Sequence, residues 1–81
     1  MQNKHRFENL RLLSPLNAVK AWLNGDFGWG DEPALIEAIR KDTRIRLSDD
    51  ALVNIVIDAM DADLTAQKCL DKLAAASVIF L

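Results

Sequence analysis

The chain has 81 residues, of which 51% are hydrophobic and 27% charged, with ten Lys and Arg residues against twelve Asp and Glu residues. This composition is typical of one small globular domain and excludes a disordered tail. The acidic balance argues against a nucleic-acid partner, because affinity for phosphates depends on a basic surface.

The N-terminal segment, residues 1–13, begins with the polar run MQNKHRFENL, which contains no apolar signal core. Phe7, Leu10 and Leu13 follow one another at helical spacing. The segment is therefore expected to be either frayed or a short leading helix.

The first clear helix is predicted between Ser14 and Gly25. Ser14 suits an N-cap, Pro15 suits the first helical position, and Gly25 suits the left-handed residue that follows a helix. The helix is expected to turn Trp22 into the core, beside an apolar face formed by Leu16, Val19 and Leu23.

The glycine-rich stretch GDFGWGDEP, residues 25–33, contains two of the chain's few aromatic residues, Phe27 and Trp29. Either both side chains turn inward and seal the core, or at least one is exposed and anchors a partner, as aromatic residues do at interfaces. With Asp26 and Asp31 beside them, they are predicted to form part of a partner-binding surface.

Asp31 is also predicted to cap the second helix, which has an apolar stripe formed by Leu35, Ile36 and Ile39 and ends near Thr43. The following RIRL, residues 44–47, alternates polar and apolar side chains. This alternation indicates a short extended connector.

The third helix is predicted to begin after Ser48. Its core-facing stripe is formed by Leu52, Ile55, Val56, Ala59 and Met60. Val53 and Ile57 make the helix apolar over more than half of its circumference, so we expect it to be the central helix, packed on more than one side.

A fourth helix is predicted from Leu64 onward, with a stripe formed by Ala66, Cys69, Leu70, Leu73, Ala74, Ser77 and Val78. The chain ends in VIFL, and no single helical face can hide all four of these side chains. Either this tail lies in a groove of its own domain or it packs against a second chain, which makes a homodimer plausible. Phe80 and Leu81 are therefore included in the predicted partner-binding surface.

No convergent set of catalytic groups emerges from the sequence. His5, the only histidine, is expected to be an exposed tail residue, and the single Cys69 a small buried hydrophobe. The carboxylates of Asp58, Asp61 and Asp63 are too few to supply the six oxygen ligands that Ca²⁺ usually takes, so they are interpreted as a solvated acidic face. No enzymatic activity, metal or cofactor is expected.

Charge is unevenly distributed along the chain. Residues 1–46 contain eight basic and six acidic residues, whereas residues 47–81 contain two basic and six acidic ones. A basic patch is predicted at Arg40, Lys41, Arg44 and Arg46, ahead of the acidic face. This dipolar pattern suits a charged protein partner or a self-complementary dimer.

The run RIRLSDDALV, which follows the amphipathic ALIEAIRKD, resembles the middle of the Hha/YmoA family of small nucleoid-associated proteins. The resemblance covers about a quarter of the chain. It implies a helical modulator that acts through a DNA-binding partner protein. The aromatic residues typical of the C-terminal half of that family are mostly missing here.

Together these patterns predict an all-α bundle of four to five short helices in a single domain, residues 1–81, located in the cytoplasm. The predicted function is that of a non-enzymatic, acidic interaction module that inhibits or modulates a larger protein, as small phage or plasmid inhibitors, including anti-defence proteins, do. The alternative is a transcriptional regulator or nucleoid-associated co-regulator that contacts DNA through the basic patch or through a DNA-binding partner. Direct nucleic-acid binding and a membrane location are not expected.

Overall fold

The computed structural model describes residues 10–26 and 30–79. The helices are α1 (Pro15–Leu23), α2 (Glu32–Ile39), α3 (Asp49–Asp61) and α4 (Ala66–Ile79). Residues 10–12 are also helical, and the described ranges contain no strand. The predicted all-α fold of four to five short helices is confirmed.

Two serine caps begin α1 and α3, as predicted. The hydroxyl of Ser14 accepts a hydrogen bond from the Asn17 N–H at 3.2 Å, and Pro15 occupies the first helical position. The hydroxyl of Ser48 accepts from the Ala51 N–H at 3.2 Å. Each cap satisfies a backbone donor that the helix itself leaves without a partner.

Residues in the left-handed region follow α1 and α3. Gly25 has φ 82°, and its N–H donates to the Trp22 carbonyl, while the Asp26 N–H donates to the Ala21 carbonyl. Asp63 has φ 58° and occupies the corresponding position after α3. Both ends are Schellman motifs, and the predicted role of Gly25 is confirmed.

The start of α2 differs from the prediction. Asp31 is in the N-cap position, but its backbone is helical (φ −94°, ψ −4°) and its side chain accepts no capping hydrogen bond. Instead, the Glu32 carboxylate accepts a hydrogen bond from the Gly30 N–H at 2.8 Å. The Glu32 side chain therefore satisfies a backbone donor just before this helix.

The core lies where the four helices meet. α1 contacts α2 and α4, and α3 contacts the same two helices. Trp22 is only 6% exposed, which confirms its predicted core position. The fully buried large side chains include Leu10, Val19, Leu35, Ile39, Leu52, Val56 and Leu73.

The prediction that α3 is the central helix is wrong. Only its Leu52, Val56 and Ala59 are buried, whereas Ile57 is 40% exposed and Met60 39% exposed. The predicted core faces also contain Leu16 and Val78, which are exposed as well. Since α3 contacts other helices along one side, its second apolar face remains on the surface.

The connector between α2 and α3 alternates in burial as its sequence predicts. Ile45 and Leu47 are buried, while Arg44 and Arg46 point outward. The Arg46 N–H donates to the hydroxyl of Ser77 at 2.8 Å, which ties the connector to α4. The same hydroxyl donates to the Leu73 carbonyl at 2.8 Å, so the buried Ser77 side chain uses both its proton and a lone pair.

Candidate functional site

The exposed side of α3 combines apolar and acidic residues. Val53, Ile57 and Met60 are spaced at i, i+4 and i+7, which places them on one face of the helix. Asp50 and Asp61 lie beside them and are exposed. These five residues are named the acidic stripe.

Among residues 10–26 and 30–79, no basic side chain is paired with a carboxylate of the acidic stripe. Neither Asp50 nor Asp61 makes an ion pair with another residue of the described ranges. The neighbouring Asp49, in contrast, is paired with Arg40 at 2.7 Å. The stripe therefore presents apolar side chains next to negative charge that no basic residue of the described chain offsets.

The predicted acidic face is divided among three positions. Asp61 belongs to the acidic stripe, and Asp58 lies further around α3 on the side that faces α4. Asp63 lies beyond the end of the helix, in the left-handed position described above. All three side chains are exposed, as predicted.

The predicted basic patch is largely engaged in bonds within the domain. The guanidinium of Arg40 donates to the Leu47 carbonyl at 2.6 Å as well as to Asp49. The Lys41 ammonium donates to the carbonyls of Arg11 and Leu13, each at 2.8 Å, and so holds the chain before α1 against the end of α2. A DNA phosphate would have to compete with these hydrogen bonds and ion pairs for the same side chains. Contact between the basic patch and DNA stays a prediction.

Arg44 is paired with a neighbouring acid. Its guanidinium donates to both carboxylate oxygens of Asp42, at 3.0 and 2.8 Å. These hydrogen bonds lower the pKa of the Asp42 carboxyl below its ordinary value, outweighing the opposing effect of burial. In the described ranges, Arg46 is the member of the patch whose side chain has no such partner.

A groove of about 300 Å³ runs between α3 and α4. Its lining is formed by Ile55 and Asp58 from α3 and by Lys72, Ala75 and Ala76 from α4. The small alanine side chains leave the space open, Ile55 is half-buried, and the two charged groups are exposed. We call this feature the α3–α4 groove.

The predicted loop and C-terminal anchors are only partly described. Phe27 and Trp29 lie outside the described residues, as do Phe80, Leu81 and His5. Of the two acids on either side of this loop, Asp26 is exposed and Asp31 is half-buried. The role of these residues in partner binding stays a prediction.

Cys69 is completely buried, which confirms that it packs as a small hydrophobe. Burial raises the pKa of its thiol to about 11, although the charge of Lys72 opposes this effect. Within residues 10–26 and 30–79, no group of three or more His, Cys, Asp or Glu residues is arranged to hold a metal ion. None of the helices in these ranges is long and apolar enough to cross a membrane.

Comparison of the chain with protein-family models, with curated proteins and with solved structures finds no match. The resemblance to the Hha/YmoA family is thus confined to the RIRLSDDALV motif and assigns the chain to no family. Sequence reasoning assigned Val53, Ile57 and Met60 to the core and did not recognise them as a surface. The sequence did contain an indication of this surface: the apolar stripe of α3 is wider than contact with one neighbouring helix can bury.

Proposed function

We propose that the protein is a non-enzymatic interaction module that inhibits or modulates a larger protein, and that it binds this partner through the acidic stripe. The observation that supports the proposal is a second apolar face on α3, bordered by carboxylates that form no ion pair with another residue of the described ranges. Exposed apolar residues surrounded by polar ones are typical of protein-binding surfaces.

The chemistry of the stripe indicates the chemistry of the partner. Ile57 and Met60 provide flexible apolar contacts, and methionine adapts its shape to different partners. Asp50 and Asp61 favour Lys or Arg beside the apolar residues of the partner, because complementary charge directs association and orientation. The expected target is an amphipathic helix with a basic border.

The proposed compartment is the cytoplasm, because the single Cys69 forms no disulfide, as is usual in a reducing compartment.

A pair of synthetic peptides tests this preference directly. Both carry the same apolar stripe of an amphipathic helix, and one is bordered by Lys and Arg, the other by Glu. Titration calorimetry should detect binding of the basic peptide. Its affinity should fall as the salt concentration rises, since salt screens exposed charges. Equal binding of the two peptides would contradict the assignment of the stripe.

Substitutions at two equally exposed residues test where the binding surface lies. Ile57 and Leu16 are each 40% exposed, but Leu16 lies on α1, away from the stripe. Ile57→Ser should weaken binding of the basic peptide by about tenfold, equivalent to about 1.4 kcal/mol, while Leu16→Ser should leave binding unchanged. An equal loss in both variants would show that binding is not located on α3.

Photo-crosslinking extends the test to the natural target. A crosslinker introduced at position 57 should capture a protein that the same crosslinker at position 16 does not. The purified target should then lose or change its activity when this protein is added, and the Ile57→Ser variant should have a weaker effect. A captured target whose activity is unaffected would contradict the inhibitory role and leave only binding.

A further inference from the structure

The α3–α4 groove carries two opposite charges on opposite sides. Asp58 lies on α3 and Lys72 on α4, and both line the groove. Neither forms an ion pair with another residue of the described ranges. The groove thus has an unpaired acid along one wall and an unpaired base along the other.

This arrangement is complementary to itself. A two-fold axis along the groove would place α3 of one copy over α4 of a second copy, because such an axis exchanges the two walls. Asp58 would then face Lys72 of the second copy, and the symmetry would repeat the pair on the other side. One surface therefore supplies both members of two ion pairs.

The side chains between Asp58 and Lys72 are small enough to let a second copy of the chain approach the groove closely. Ala75 is exposed and Ala76 half-buried, so neither fills the groove, and the half-buried Ile55 adds an apolar contact to its lining. The other exposed carboxylates of α3 belong to the acidic stripe: Asp50 lies eight residues from Asp58 along the helix, and Asp61 is its i, i+3 neighbour at the edge of the stripe. They do not lie between the two walls.

We propose that the α3–α4 groove is the interface of a homodimer, with Asp58 of each copy paired with Lys72 of the other. This interface is separate from the acidic stripe, so the dimer does not depend on the proposed function. The stripe remains accessible in the dimer, which presents two copies of it. A target with two basic segments would then gain affinity from simultaneous binding.

Sedimentation equilibrium of the full chain tests the dimer. The wild-type protein should pass from monomer to dimer as its concentration rises through the micromolar range. Asp58→Lys and Lys72→Asp, each alone, should raise the dissociation constant on the order of tenfold, because each places like charges together twice per dimer. The double variant should return to within about threefold of wild type, because the exchanged charges again attract.

Asp50→Lys provides the matched control, because Asp50 is exposed and lies eight residues from Asp58 along α3. It makes the same change of charge on the same helix, but outside the groove, so the dissociation constant of the dimer should stay near that of wild type. Ala75→Arg fills the groove from an exposed position and should give a folded monomer, with an unchanged helical circular dichroism spectrum. A monomeric wild-type protein throughout the concentration range, or a double variant no better than the single ones, would overturn the proposal. Peptide binding to the stripe is measured separately and distinguishes failure of the dimer from failure of the proposed function.

Discussion

The hydroxyl of Ser77 connects two parts of the chain that are 31 residues apart. Ser77→Ala leaves the Arg46 N–H without its partner in a partly buried position, and should lower the free energy of unfolding by about 1–3 kcal/mol, although Ala favours helices more than Ser does. Urea denaturation followed by circular dichroism measures the change. Val78→Ala, at the exposed neighbouring position, should stay within about 0.5 kcal/mol of wild type. Equal stability of Ser77→Ala and wild type would show that the hydrogen bond contributes nothing.

The role of Ser77 was not predictable from local sequence. Its position within an apolar helical stripe indicates burial, and the structure confirms this. Its hydrogen-bond partner, however, lies in the connector before α3, and only the packing of that connector against α4 brings the two groups together. Spacing along one helix carries no information about such a contact.

At the scale of a single element, the end of α3 carries a conformational cost. Asp63 adopts the left-handed φ of 58°, a conformation that glycine adopts more readily. Asp63→Gly should therefore raise the free energy of unfolding by about 0.5–1 kcal/mol. Ala75→Gly introduces a glycine at an exposed position inside α4 and should lower the free energy of unfolding by about 1 kcal/mol, because glycine is a much poorer helix former than alanine. Thermal and urea denaturation of both variants would show whether their changes in the free energy of unfolding have opposite signs. Destabilisation by both would contradict the prediction.

The helices themselves were largely predictable because their boundaries depend on local chemistry. Ser14, Ser48 and Gly25 act within a few residues of their own positions, and the structure places each as expected. The environment of α3 was not predictable, because periodicity shows that Ile57 and Met60 are apolar but not which neighbour covers them. The candidate site was missed for the same reason. A surface apolar face and a core face have the same pattern in sequence.

At the scale of the whole molecule, the two proposed interactions use different parts of the exposed surface of α3 and α4. The buried sides of the helices form the core, and the remaining apolar surface of α3 is divided between the acidic stripe and the α3–α4 groove. Asp58 borders the groove and Asp61 the stripe, so one turn of α3 contributes to both surfaces. Charge substitutions at Asp58 and at the more distant Asp50 therefore separate self-association from target binding, whereas Asp61 is close enough to Asp58 to influence both.

Cys69 provides a measure of the stability of the whole fold, since its thiol is fully buried among the packed helices. Burial raises its pKa from an ordinary value of 9.0 to about 11. In the folded protein the thiol should stay protonated near pH 9, while in urea it should ionise there. Because the folded pKa is the higher one, this group stabilises the fold fully below pH 9, and the contribution falls as pH rises toward about 11.

Ultraviolet absorbance of the thiolate measures this titration directly, because the chain has no Tyr to absorb as phenolate. The folded protein should also react slowly with a thiol reagent at pH 8, with a rate that rises in urea together with the loss of helical circular dichroism. Cys69→Ala gives the baseline for both measurements. A thiol that ionises at its ordinary pKa in the folded protein, or reacts before the helices unfold, would show that α4 opens independently of the rest of the domain.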